Sequence, residues 1–287
     1  MSFLERAAAL PRLGLGVSTE YGARQGDALD PVALRRRNAR WGGFLELGVE
    51  LEKGLDADAR AWVAAGLPTT WHFLDINLED EADFDPGWVT ALQKGVAETR
   101  PAWLCGDAGL WHFGRRERGH MLLLPPILSD AGADAMAVGV RRLRSLTGLE
   151  VLPENPPGVA WVGDRTLLQW LARLAEVADT GVLLDLAHLA MYQEVHGRDP
   201  LDGLAEFPAE RIVELHIAGG EPRDTDGLRW TEDTHGTDVR PAVWRALDAL
   251  LPRMTNLKAV VVECERNAID AVVPLYAEVE RRLRGWA

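Results

Sequence analysis

Gly181-Val182-Leu183-Leu184-Asp185-Leu186-Ala187-His188 is the stretch that decides how this chain folds. Its apolar core has no polar alternation, which suits a strand covered on both faces, as in a parallel sheet flanked by helices. The run then stops on an acid and an imidazole. Working outward, the same pattern recurs at Leu13–Ser18, Gly43–Val49, Thr70–Ile76, Ala102–Asp107, Leu149–Glu154, Ile212–Ala218 and Ala259–Glu263, making eight candidate strands. Longer helix-like segments separate them, opened by short capping residues: Asp30-Pro31, Asp56, Asp85-Pro86-Gly87, Ser129-Asp130 before Ala131–Leu146, and Asp164 before Arg165–Ala178. The last segment, Asn267–Trp286, ends in Arg281, Arg282 and Arg284, which favour a helix C-terminus.

Eight strand–helix alternations predict parallel strands, because each parallel crossover needs a helix. A doubly wound open sheet is the rival. Its glycine-rich phosphate loop is only echoed in Leu13-Gly14-Leu15-Gly16, where Val17, Ser18 and Thr19 follow without a third glycine in register. The expected fold is therefore α/β, a single (β/α)8 TIM-type barrel forming one domain over residues 1–287.

Composition narrows the function. A hydrophobic share of 47% can bury a large core, and the net charge of −13 disfavours sequence-independent binding to nucleic acid or an anionic membrane. No window approaches 18 uninterrupted apolar residues, and Met1–Leu10 is too short for a signal peptide core, so a soluble cytoplasmic protein is expected. Cys105 and Cys264 lie in apolar strand-like runs and in no CxxC pair, which reads as small buried hydrophobes.

The chemistry lies in how the strands end. His72 and Asp75 close the third, Glu154-Asn155 the fifth, Asp185 and His188 the sixth, and Glu263 the eighth; Glu214-Leu215-His216 lies in the seventh, and the long loop after it carries Asp233-Thr234-His235. In a barrel all these ends face one mouth, where barrel active sites are built. Any one of them has an ordinary explanation: Asp185 can cap the next helix, and Glu263 can pair with Arg266. Together they place so many carboxylates in one cavity that cations are required to compensate them. Imidazole with carboxylate oxygen suits iron, manganese or zinc, and the number of candidates points to more than one ion.

The blocks Leu183-Leu184-Asp185, Glu214-Leu215-His216-Ile217-Ala218-Gly219 and Asp233-Thr234-His235-Gly236 with Val243-Trp244 resemble the multinuclear non-haem iron-dependent oxidative enzymes, formerly domain of unknown function 692. The resemblance extends through Phe44-Leu45-Glu46, His72, Pro153-Glu154-Asn155 and Val262–Asn267. It implies a dioxygen-using oxidoreductase with two or three iron ions that modifies cysteine in a ribosomally made precursor peptide, often beside a small peptide-presenting partner protein. It also implies His72, Glu154, Asp185, His216, Asp233, His235 and Glu263 as metal ligands, with Glu154 bridging. Asn155, Glu46 and Asp75 are expected to orient these ligands through hydrogen bonds.

The chain departs from the family pattern twice. Gly106-Asp107-Ala108-Gly109 stands where the family has a Ser-Asp/Glu-His-Leu block, which puts Ala108 at the histidine; His112 is a candidate replacement. His188 occupies a position where the family often has asparagine, and is a candidate added ligand. The alternative reading is a xylose-isomerase-like isomerase, epimerase or hydrolase using Mn2+ or Zn2+; a binding protein without turnover is a third. Trp71 and Trp111 are candidate walls of a substrate groove.

Overall fold

A computed structural model describes residues 1–19, 26–114, 116, 122–284 and 286. The chain begins with helix α1 (Phe3–Ala9) and strand β1 (Gly14–Thr19), then α2 (Pro31–Arg37), β2 (Phe44–Val49), α3 (Ala57–Ala64), β3 (Thr69–Phe73), α4 (Pro86–Thr99) and β4 (Leu104–Asp107). It continues through β5 (Ile127–Leu128), α5 (Asp130–Thr147), β6 (Val151–Glu154), β7 (Val162–Gly163), α6 (Leu167–Ala178), β8 (Val182–Asp185) and α7 (Leu186–Val195). The last part comprises β9 (Ile212–Thr225), β10 (Leu228–Gly236), α8 (Pro241–Leu250), β11 (Ala259–Glu263) and α9 (Ile269–Arg282).

Eight strands run parallel in the order β1-β2-β3-β4-β6-β8-β9-β11, and β11 pairs with β1 to close the barrel. The expected fold is the observed one. Alternation along each strand decides what faces inward. In β9, Leu215 and Ile217 join the outer core beneath the helices, which turns Glu214 and His216 into the barrel. The interior floor is apolar, built of Phe44, Trp103, Leu152, Leu183, Ala259 and Val261, and α1 closes it with fully buried Phe3 and Ala7. Short N-terminal residues that sequence reading passed over thus form a plug.

The helix starts follow the capping chemistry. Asp30, Asp56, Asp85 and Ser129 accept backbone N–H groups of their own first turns. Helix α6 is capped by Thr166 in a capping box with Gln169, rather than by Asp164. The expected strand through His188 stops at Asp185, whose carboxylate accepts from the His188 N–H at 2.6 Å and starts α7 there. His188 is therefore a first-turn helical residue.

The segment carrying Asp233 and His235 is a strand, not a loop. β9 runs on beyond the barrel, turns at Asp226-Gly227 with φ of 53° and 85°, and β10 returns antiparallel to it. An Asp-Gly pair with both residues at positive φ makes the tight hairpin turn that matches strand twist. Among the described residues no helix is long and apolar enough to cross a membrane.

Candidate metal centre

Strand ends and one returning hairpin assemble the mouth. β3, β4, β6, β8 and β11 deliver His72, Asp107, Glu154, Asp185 and Glu263, β9 delivers His216, and β10 folds back with Asp233 and His235. Register holds them level: Asp107 lies beside Glu154, and Asp185 beside His216.

The contacts form one connected network. His72 Nε2 bonds to Glu154 Oε2 at 2.8 Å. Glu154 Oε1 lies 3.3 Å from His216 Nδ1 and 3.6 Å from His188 Nδ1. His216 Nδ1 is 3.3 Å from Glu263 Oε1 and 3.9 Å from Asp185 Oδ2. Asp233 Oδ2 stands between His235 Nε2 at 3.2 Å and His188 Nε2 at 3.3 Å. All seven residues implied by the resemblance meet here, joined by His188 and Asp107.

Outer partners fix the rings. Glu265 Oε1 holds His235 Nδ1 at 2.5 Å and its other oxygen accepts from Ser18 at 3.0 Å, so His235 turns Nε2 toward Asp233. His188 donates Nδ1–H to the Asn155 carbonyl at 2.9 Å, which leaves Nε2 toward Asp233. The Asn155 side chain is bonded in turn to the Asp185 backbone through both its amide atoms. Glu46 Oε1 lies 3.1 Å from His216 Nε2. Such partners set tautomer and ring orientation at metal sites.

Electrostatics show what this density of charge requires. Burial alone would push the His72 pKa down, but the Glu154 carboxylate outweighs it and holds the ring at about 9. His188, His216 and His235 are likewise raised, burial being outweighed by Asp185, Glu263 and Glu265 respectively. Burial opposes ionisation of Glu263, yet His216 and His235 hold it at about 2, and Glu154 and Asp233 are lowered in the same way. Burial raises Asp185 to about 7 and Asp107 well above its ordinary value. The raised imidazoles show that the carboxylates here call for positive counter-charge, which protons or metal ions can supply.

The donors fit metal ions. Asp107 Oδ1, Glu154 Oε1, Asp185 Oδ2, Asp233 Oδ1, Glu263 Oε2 and both His216 ring nitrogens are buried without a hydrogen-bond partner. Orphaned buried acceptors are costly unless something occupies them. His72 with Asp107 and Glu154, Glu154 with Asp185 and His188, and Glu46 with His216 and Glu263 each bring donor atoms within 4.8 Å of one another. Glu154 belongs to two of these sets. Above them opens a cavity of about 410 Å³, walled on its apolar side by Leu74, Trp111, Leu123 and Pro157. A second groove of about 480 Å³ between α6 and α7 is lined by Asp130, Arg165, Arg173, Tyr192 and Asp202 among others and by no histidine.

Three expectations are corrected. His112 does not replace the missing histidine: its Nε2 bonds to Asp83 at 2.9 Å and its Nδ1 to the Gly114 carbonyl, away from the cluster. Asp75 accepts from the Leu51 N–H and Trp88 Nε1 and so pins a loop onto α4, touching no candidate ligand. Trp71 faces outward against α4, where a Cβ on Gly95 would meet its ring at 2.4 Å, so only Trp111 of that pair lines the cavity. Asp107 and Glu265 are the site residues that sequence reading passed over. Asp107 obeyed the strand-end rule, and Glu265 repeats Glu263 two residues on.

Fold and site together define a metal-binding (β/α)8 barrel with a histidine- and carboxylate-rich mouth. The chain belongs to the family described as RiPP precursor modification enzyme MbnB/TglH/ChrH, whose model matches residues 36–284. A UPF0276 protein of Anaeromyxobacter sp. (strain Fw109-5) is 27% identical over 203 residues, covering 69% of each chain. Among solved structures, a xylose isomerase domain containing protein from Salmonella typhimurium LT2 aligns with TM-score 0.56 at 12% identity, covering 96% of this chain and 97% of that one. The 3-keto-D-glucoside 4-epimerase from E. coli aligns with TM-score 0.53 at 16% identity, covering 95% and 100%. Those two likenesses are of fold alone.

Proposed function

We propose that this chain is a multinuclear iron enzyme that uses dioxygen to oxidise a cysteine residue of a ribosomally made precursor peptide. The observation that carries the reading is Glu154, which sits at the centre of the mouth, belongs to two donor sets and keeps one buried oxygen without a partner. A carboxylate so placed is suited to bridge two ions. His72, Asp185, His216, Asp233, His235 and Glu263 would complete the ligand set, with His188 and Asp107 added. Bound iron would supply the redox chemistry and lower the pKa of a substrate thiol.

The protein's own part follows from the geometry. Glu265, Asn155 and Glu46 hold the imidazoles in position before substrate arrives. Leu74, Trp111, Leu123 and Pro157 give one side of the cavity an apolar wall. Its volume of about 410 Å³ admits a side chain and its flanking backbone, not a folded domain, so the peptide would enter as an extended segment. Presentation of that segment by a small partner protein is part of the proposal. The test is oxygen consumption by anaerobically purified, iron-loaded protein given cysteine-bearing peptides. Uptake that requires the cysteine supports the reading, and no uptake with any thiol peptide overturns it.

A divalent-metal isomerase or epimerase is the second reading, favoured by the all-nitrogen-and-oxygen donor set at the mouth, which Mn2+ or Zn2+ accepts equally. Turnover of a sugar supported by Mn2+ and indifferent to oxygen would favour it.

A further inference from the structure

Below the mouth the barrel holds a second polar layer, in which the proposed reaction gives no role to Cys105 or Glu214 and uses Glu46 only through its contact with His216. Glu46 from β2, Cys105 from β4 and Glu214 from β9 point inward and are 1%, 0% and 0% exposed. Cys105 Sγ lies 3.1 Å from Glu46 Oε2, and one donor atom from each of the three residues falls within 4.8 Å of the others. Trp103 Nε1 donates to Glu214 Oε2 at 2.6 Å and fixes that carboxyl, while Thr70 Oγ1 lies 3.4 Å from Glu46 Oε2. Glu214 Oε1 is left fully buried with no partner.

We propose that Glu46, Cys105 and Glu214 form a further, deeper metal site, adjoining the mouth at Glu46, that takes a borderline divalent ion such as Zn2+ or Fe2+ through one thiolate and two carboxylates. The thiol bond to Glu46 accounts for Glu46 Oε2 and leaves Glu214 Oε1 unmet. Bonds of about 2.3 Å to sulfur and about 2.1 Å to oxygen put tetrahedral donors roughly 3.5 Å apart, so small side-chain rotations inside the present spacing close the site. The thiolate distinguishes it from the mouth, whose donors are nitrogen and oxygen, and it selects against hard ions such as Mg2+. Trp103 and Thr70 supply the outer hydrogen bonds that hold metal ligands in orientation. Glu46 also lines the mouth cavity, which gives an entry path. On binding, the Cys105 proton leaves and the sulfur bonds to the ion. The competing account, a proton shared between Glu46 and Glu214, binds no metal.

Cobalt reports the difference. The full chain, stripped with chelator and titrated anaerobically with Co2+, is expected to develop a near-ultraviolet thiolate-to-cobalt charge-transfer band whose final amplitude corresponds to one thiolate-bound cobalt per chain, whatever the mouth also takes up. The band should persist in Cys264→Ser and in the mouth variant Asp233→Asn, vanish in Cys105→Ser, and need at least 10-fold more cobalt in Glu214→Gln. No band in folded wild-type protein overturns the proposal, and so does a band that disappears in Cys264→Ser. The wild-type and Cys264→Ser measurements decide the matter even where Cys105→Ser fails to fold. The outcome is independent of dioxygen chemistry: the mouth can fail its oxygen test with this band intact.

Discussion

Asp185 serves the fold with one oxygen and the site with the other. Oδ1 accepts from the His188 N–H and starts α7, while Oδ2 is buried, unpartnered and 3.9 Å from His216 Nδ1. Asparagine keeps the acceptor and loses the charge. Asp185→Asn is therefore expected to leave the thermal stability of metal-free protein unchanged or raised, since burial pushes the carboxyl up to about 7. The same variant should lose most of the stabilisation that added metal gives the wild type, a difference that melting curves with and without metal would show. Asp185→Ala should in addition lose about 1 kcal/mol from the missing cap. At one remove, Glu265→Gln loosens the hold on His235, and Asn155→Ala, which keeps the backbone carbonyl on His188, cuts both amide bonds to the Asp185 backbone; each should weaken metal binding by roughly 10- to 100-fold in chelator competition. Unchanged affinity in both would remove the orienting role.

At the scale of elements, the barrel strands and most helix starts were legible, because apolar runs with polar ends and Asp or Ser caps are local signals. The hairpin was not, since its turn signal, Asp226-Gly227, sits among exposed charged residues that read as a loop. Leu186-Ala187 continues the apolar run and so reads as strand through His188, whereas the cap at Asp185 ends the strand and starts α7. The replacement proposed at His112 failed because a histidine near the mouth in sequence turned toward Asp83. Hairpin seating is itself testable. A Cβ on Gly219 would stand 2.5 Å from the Gly236 carbonyl and 2.8 Å from that of Asp238. Gly219→Ala should push β10 off its seat, displacing Asp233 and His235, and so weaken metal binding while circular dichroism still reports a folded barrel. At the opposite end of the barrel, Phe3→Ala should cost about 3–5 kcal/mol in denaturant unfolding, because it empties the plug under the floor, and leave metal affinity unchanged.

The whole molecule is a barrel whose mouth charge must be balanced by protons or by metal. His72 is raised from 6.5 to about 9 and Asp185 from 3.8 to about 7, so the metal-free folded chain binds these protons more tightly than the unfolded chain. That stabilisation is fully present below the ordinary values and is lost as pH rises through about 7 and then about 9. Glu263, lowered from 4.5 to about 2, works in the opposite sense and loses its contribution as pH falls through that window. Metal-free protein should therefore be most stable at mildly acidic pH and melt at progressively lower temperature toward pH 9. Metal-loaded protein should escape that alkaline loss, because ions replace the protons. Parallel melting curves from pH 5 to 9 with and without metal would contradict the shared role of protons and ions at the mouth.

The central claim is that the mouth holds more than one metal ion around Glu154. Its most direct test is the metal-to-protein ratio at the mouth of anaerobically purified, iron-loaded protein, read with Mössbauer spectroscopy in the wild type and in Glu154→Ala. The account predicts two or three mouth irons per chain, including an exchange-coupled pair that Glu154→Ala abolishes. Less than one mouth iron per wild-type chain, or a coupled pair that survives Glu154→Ala, would contradict it.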